Sequence, residues 1–268
     1  MEVKIAVAYH KPSVMLTHPS YIPIQVGSLL HPDVNLDIQK DSEGDNISSE
    51  NGYFCELTAL YWLWKNTTAD AKGLFHYRRV FTSEKSARLD FKTCLKGIMR
   101  RSYTPSLTYG SDDFVKAAHK FAELVPENLK EFDILASKPC ICQRDVYTYF
   151  SIIGQDYLKI LIEALAQTNP VFHKSLMLTL RSKKLYYGNM TVMKNEEFET
   201  YCEFLFGTLN RVKAILLEEN YLKNLSGEKI FDRKLGYLAE ILTSVYISHR
   251  QNESNLRIKE FHVAMAAQ

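Results

Sequence analysis

The stretch Gly73-Leu-Phe-His-Tyr-Arg-Arg-Val-Phe81 carries a histidine, a tyrosine and two adjacent arginines through an otherwise apolar, strand-like run. A guanidinium removed from water is costly unless an anion or a carboxylate meets it, so Arg78 and Arg79 predict a negatively charged partner. Their planar forks suit phosphate oxygens, which makes a phosphorylated ligand one reading. Ion pairing with Glu56 or Asp45 is the other. Successive strand residues point to opposite faces, so only one arginine can easily face a given ligand unless the strand has ended there. His76 reads equally as a ligand contact and as a satisfied core histidine, with Tyr77 beside it.

The elements that must position these groups follow from periodicity and punctuation. Lys4–Tyr9 is a β-branched apolar run stopped by Pro12, a first buried strand. Its carboxyl end offers Tyr9, His10 and Lys11, the place where a nucleotide base rests in open α/β sheets. Residues 13–50 read as one long loop closing in a polar run, Asp41 to Glu50. A single helix is expected over 51–66, with Leu57, Leu60, Tyr61 and Trp64 on one face and Glu56 as its buried-charge candidate. GLFHYRRVF then forms one strand. Helices are expected over 112–129 and 155–167, a strand over 132–136, a β-type run broken by Gly188 and Asn189, two closing helices, and an end that is either a last strand or a loose tail. Strand, loop, helix, strand is the order of an α/β fold with ligands at the carboxyl ends of its strands.

Composition narrows the function. The 268 residues, 46% hydrophobic, suit one domain. Thirty-three Lys+Arg against 31 Asp+Glu give +2, a balance that disfavours nucleic acid as partner. No window approaches about 18 uninterrupted apolar residues, so the expectation is a soluble, cytoplasmic protein. The five cysteines include one C-x-C pair, Cys140 and Cys142, without a second ligand pair, and read as free thiols rather than a zinc site. Aromatic content of 12% tilts slightly towards carbohydrate, whose C–H faces match flat rings. The P-loop, G-x-G-x-x-G, G-x-S-x-G and H-E-x-x-H patterns are absent, which counts against kinases, dinucleotide oxidoreductases, serine hydrolases and zincins.

Asp45, Asn46, Ser48 and Asn51 can bond a base, ribose or sugar hydroxyl, and are equally ordinary turn and cap formers. Arg233 and Glu240 flank Gly-Tyr-Leu-Ala-Glu and either close a site or bridge their helices.

Three successive patterns, D-N-x-S-x-x-N (45–51), E-L-T-A-x-Y-W-x-W-K-N (56–66) and G-L-x-H-Y-R-R (73–79), resemble the signature of a bacterial family of capsular and exopolysaccharide glycosyltransferases. The likeness continues through YYGNMTVMKNEEFETYCEFLF and RKLGYLAEIL, covering most of the chain. It implies a single GT-A-like, Rossmann-like nucleotide-sugar-binding domain with a mixed central sheet flanked by helices. Residues about 1–110 would hold the nucleotide sugar and about 111–268 the acceptor. It implies a UDP-sugar donor of the hexose class, galactose in pyranose or furanose form being the guess. The acceptor would be a glycan or lipid-linked oligosaccharide, met at the inner membrane face; the basic patches Arg100-Arg101 and Arg181-Ser-Lys-Lys184 read first as solvated charge and second as a peripheral membrane contact. Where many GT-A enzymes carry a metal-binding Asp-x-Asp, this chain has His76-Tyr77-Arg78-Arg79, so the expected cofactor is none, although a divalent metal with ligands elsewhere stays open. Asn189 and Met190 would line the donor sugar or acceptor. Asp156 would take the acceptor's proton, ahead of Asp145 and the pair Asp112-Asp113. A non-catalytic carbohydrate- or nucleotide-binding module is the alternative, and the oligomeric state is left open.

Overall fold

A computed structural model of the chain describes residues 1–84, 102–103, 106–151, 154–218, 233–254 and 256–267. Cys94, Arg100 and Arg101 lie outside the described residues. The first strand, β1 (Val3–Tyr9), is the expected buried run, and its two sets of alternate side chains enter two different cores. Val3, Ile5, Val7 and Tyr9 face one core; Ala6 and Ala8 face the other. A strand covered on both faces has no polar side, which explains its apolar sequence from Ile5 to Tyr9.

The expected long loop contains two strands, β2 (Tyr21–Gln25) and β3 (Gln39–Lys40). Pro23 and the shortness of both elements hid them, because they are completed by parallel pairing to β1 and to each other rather than by local pattern. Helices α1 (Asn51–Phe54) and α2 (Leu57–Asn66) replace the single expected helix. The break is at Cys55, whose φ of 52° and ψ of −126° are left-handed backbone unsuited to helix.

GLFHYRRVF is two strands rather than one. β4 (Ala71–His76) and β5 (Arg79–Thr82) form an antiparallel hairpin in which His76 pairs with Arg79 and Tyr77-Arg78 make the turn. The two-stranded pairing of β6 (Ser102–Tyr103) with a later strand is followed by β7 (Ser106–Tyr109) and helix α3 (Ser111–Glu131). Then come β8 (Ile134–Ser137), β9 (Cys140–Cys142), α4 (Val146–Phe150), α5 (Gln155–Thr168) and α6 (His173–Arg181). Strands β10 (Lys184–Leu185) and β11 (Thr191–Lys194) flank a 3-10 turn at Tyr187–Asn189, where the sequence pattern breaks. Helices α7 (Asn195–Glu218) and α8 (Lys234–Glu253) precede the last strand, β12 (Ile258–Ala266).

Among the described residues the main sheet has nine strands, ordered β11-β8-β12-β5-β4-β1-β2-β3 with β7 beside β12. It is mixed: β1, β2, β3 and β4 run parallel, and β5 and β11 run antiparallel to β4. The terminal segment is therefore a strand inside the sheet, seated between β8 and β5. Gly73 lets β11 approach β4, since a Cβ there would stand 2.4 Å from the Thr191 carbonyl oxygen. One face of the sheet packs on α3 through Phe75, Phe81, Phe121 and Phe261, and the other on α2 and α5–α8. Alternate strand faces under two helical layers make a three-layer α/β/α arrangement.

Candidate active site

β1 pairs with β2 on one side and β4 on the other, so the chain leaves the sheet in two directions at the carboxyl ends of β1 and β4. A crevice is expected at such a reversal of strand order. A cleft of about 650 Å³ lies there. Ala8 and His10 after β1, Val26 after β2, and His76 to Arg79 after β4 form one wall. Asn51, Gly52, Cys55 and Glu56 come from the broken helix, Tyr187 and Gly188 from the 3-10 turn, and Arg233, Gly236, Tyr237 and Glu240 from the start of α8.

The hairpin turn answers the alternation problem. Because β4 ends at His76, Arg78 and Arg79 are not consecutive residues of one strand, and both line the cleft. Arg78 lies 5.6 Å from the Tyr77 ring centre and Arg79 5.5 Å from that of Tyr187. Among the described residues neither arginine has a carboxylate within 4.0 Å, and neither Glu56 nor Asp45 pairs with them. Arg233, at the N-terminus of α8 with φ of 61°, adds a third guanidinium beside Cys55. Three guanidinium groups against two carboxylates give the cleft a positive balance.

The carboxylates are Glu56 and Glu240. Glu56 Oε1 accepts from Asn189 Nδ2 at 2.9 Å and stands 3.8 Å from His76 Nε2. Glu240, 6% exposed, accepts from the Gly188 amide at 3.1 Å. Burial, and then the charge of Glu56, hold its carboxyl well above the ordinary value. His76 shares its Nε2 with the Gly188 carbonyl at 2.8 Å, and burial lowers its pKa despite Glu56. His10, edge-on to Tyr77, is likewise lowered, first by burial and then by Lys11, Arg233 and Arg78. Near neutral pH both imidazoles are therefore uncharged and can donate and accept hydrogen bonds.

Backbone strain gathers at the same place. Cys55, Asn189 and Arg233 are three of the four non-glycine residues with positive φ among the described residues. Asn tolerates that region; Cys and Arg do not, and each costs on the order of 1–3 kcal/mol. Asn189 is fully buried, with its amide donating to Glu56 and to the Gly236 carbonyl while its oxygen accepts from Thr243. It orients the wall of the cleft without lining it.

The other sequence candidates fall into two groups. Ser48 belongs to a closed polar knot around Asp41, its Oγ donating to Asp41 at 2.6 Å, and Asn46 accepts from the Ser48 amide at its edge. Asn46 bonds the Ser42 and Gly44 carbonyls, and Asp45 faces Tyr61 and Asn66. Asn51 lines the cleft while its amide bonds the Cys55 carbonyl and Thr58. The second group lies away from the cleft. Tyr9 turns into the core, its hydroxyl bonding Val14 and Leu16 and its pKa pushed up to about 12 by burial. Met190 is buried in the same core. Lys11 is exposed, 5.9 Å from the Tyr77 ring centre. Asp156 lies at the first turn of α5, half exposed and paired with Lys159 at 3.1 Å. Asp145 caps α4, and Asp113 pairs with Lys116. None of these lines the cleft.

Residues not singled out from sequence also line it: His31, Cys55, Tyr187 and Tyr237. Only Tyr187, beside the strand-breaking Gly188, had a local signal. The hairpin after β4 presents guanidinium groups, which do not ligate metals, beside the His76 imidazole, which can. Among the described residues no three His, Cys, Asp or Glu side chains converge as ligands.

Residues 4–252 match the family described as DUF4422, a domain of unknown function. The chain belongs to the DUF4422 family. A solved structure of WbbM, titled a bifunctional glycosyltransferase in its apo form, matches this DUF4422 chain along its whole length with a TM-score of 0.83. Identity is 24%, and the chain spans 46% of that protein's length, so the shared property is the fold. No curated protein matches the sequence. No helix among the described residues is long and apolar enough to cross a membrane.

Proposed function

We propose that this DUF4422 chain is a GT-A-like hexosyltransferase. It moves a hexose, with galactose in pyranose or furanose form as the favoured guess, from a UDP-sugar to a glycan or lipid-linked oligosaccharide of a growing surface polysaccharide. The observation that carries this is the convergence of Arg78, Arg79 and Arg233 on one cleft, without carboxylate partners among the described residues, at the carboxyl ends of β1 and β4. A diphosphate seated there meets fixed positive charge that needs no reorganisation as the leaving group develops its own.

The transfer then balances as follows. The acceptor oxygen bonds to the sugar C1 as the bond from C1 to the phosphate oxygen breaks, and the nucleoside diphosphate leaves with the electron pair. The acceptor's proton passes to a carboxylate. Asp156 is outside the cleft, and we assign that role to Glu56, which lines it and is held by the Asn189 amide at 2.9 Å. Guanidinium groups stabilise the diphosphate, and no step passes through a metal.

Release of UDP from a panel of UDP-sugars, with wild type beside Arg78→Ala and Arg79→Ala, tests the reading. Sugar-dependent release that collapses in the variants supports it. Binding of UDP with no release or transfer for any sugar and acceptor would make the protein a binding module.

A further inference from the structure

A second cleft, about 430 Å³, lies on the other side of the 186–188 segment. Its lining differs in kind from the first. Ser182, Tyr186, Ser244, Ser248, Gln251 and Asn252 present hydroxyl and amide groups, and there is one cation, Lys184, and one carboxylate, Glu260. Such a surface has little to offer a diphosphate, but it supplies the paired donors and acceptors that sugar hydroxyls require. Tyr186 is held in place, its hydroxyl donating to Glu260 at 2.7 Å and its amide to Ser244 Oγ at 2.8 Å. With Leu178, exposed at 56%, its ring gives the cleft the flat apolar component that stacks on a sugar's C–H face.

The two clefts share structural elements. Tyr187 and Gly188 line the first and Tyr186 the second. Along α8, Gly236 and Glu240 line the first, and Ser244, Ser248 and Asn252 continue the same i+4 row, which winds round the helix, into the second. From Ser244 to Asn252 is about 12 Å of helix at 1.5 Å per residue, a span for more than one linked sugar.

We infer that the second cleft binds a neutral oligosaccharide, holding the sugar units of the acceptor that lie away from the reacting end. This rests on the transferase reading of the first cleft, and its test keeps the two separate. Neutral gluco- and galacto-oligosaccharides of one to six units are titrated against the full chain by saturation-transfer NMR, and UDP is titrated in parallel by calorimetry. Wild type is expected to bind at least one series with affinity rising with length. Ser248→Trp, which fills the cleft, is expected to weaken the longer oligomers at least tenfold while changing UDP affinity less than twofold. Gln251→Ala with Asn252→Ala, both exposed, gives the same direction without burden on the fold.

Wild type that binds UDP but no oligomer of either series would overturn the inference, as would oligomer binding indifferent to both folded variants. Loss of UDP binding in wild type would instead strike the first cleft's reading and leave the oligomer result to stand by itself.

Discussion

Two polar clusters, one within the first 60 residues and one formed by the arginine hairpin and the start of α8, differ in how they end. Around Asp41, fully buried, five donor groups stand within 3.1 Å: the amides of Gly27 and Ser28 and the hydroxyls of Ser28, Ser48 and Thr58. The knot is closed, and it ties the loop after β2 to the start of α2. Around Arg78, Arg79 and Arg233 the cations face open volume without carboxylate partners among the described residues, and backbone strain is stored next to them. Satisfied polar groups hold a fold together, whereas unsatisfied ones kept in place by strained neighbours await a ligand.

The comparison breaks first at Asp41. Asp41→Ala leaves buried donors without an acceptor and is expected to cost on the order of 3–5 kcal/mol, read as a loss of Tm or of the denaturation midpoint, with the folded fraction still binding UDP. Next, Arg79→Ala is expected to do the reverse. Transfer rate falls by roughly 10²- to 10³-fold, as for removal of one preorganised charge-stabilising group, while Tm barely changes. A rate unaffected in Arg79→Ala would dissolve the contrast.

The strained backbone gives a third measurement. Cys55→Val should destabilise by about 1–3 kcal/mol, because a β-branched residue suits a φ of 52° even less, whereas Cys55→Gly should be close to wild type in denaturant titrations.

The smallest effect is pH-dependent. Above the ordinary 4.5, folded Glu240 keeps a proton that the unfolded chain has lost, so the folded state binds the more protons. Its contribution is full below 4.5 and falls as pH rises towards the folded-state value, at up to about 1.4 kcal/mol per pH unit. Glu240→Gln lacks this penalty, so its Tm should gain on wild type as pH climbs from 4.5; parallel Tm profiles would contradict it.

How far these regions could be read in advance depends on where their determinants lie. Helices α3 and α5 and strands β1 and β8 follow periodicity along their own sequence, and each was placed within about two residues. β2, β3 and the sheet position of β12 depend on pairing across the chain, which no local pattern records. Cys55 gave no warning, since a glycine would announce a positive φ and a cysteine does not.

The arginine hairpin was conspicuous because it broke the rule against charge in an apolar run. Its turn was not, because Tyr77-Arg78 lacks the Asn-Gly or Gly chemistry of tight hairpins. Asp45, Asn46 and Ser48 looked alike as binders and as turn formers, and Asp41, the residue that Ser48 bonds, gave no sign. The two carboxylates of the cleft were separated by 184 positions, and only folding brings them together.

A crystal of the protein soaked with UDP tests the central claim most directly. The account predicts pyrophosphate oxygens within hydrogen-bonding distance of at least one of Arg78, Arg79 and Arg233, at the carboxyl ends of β1 and β4. A nucleotide bound with its phosphates remote from all three guanidinium groups would contradict it.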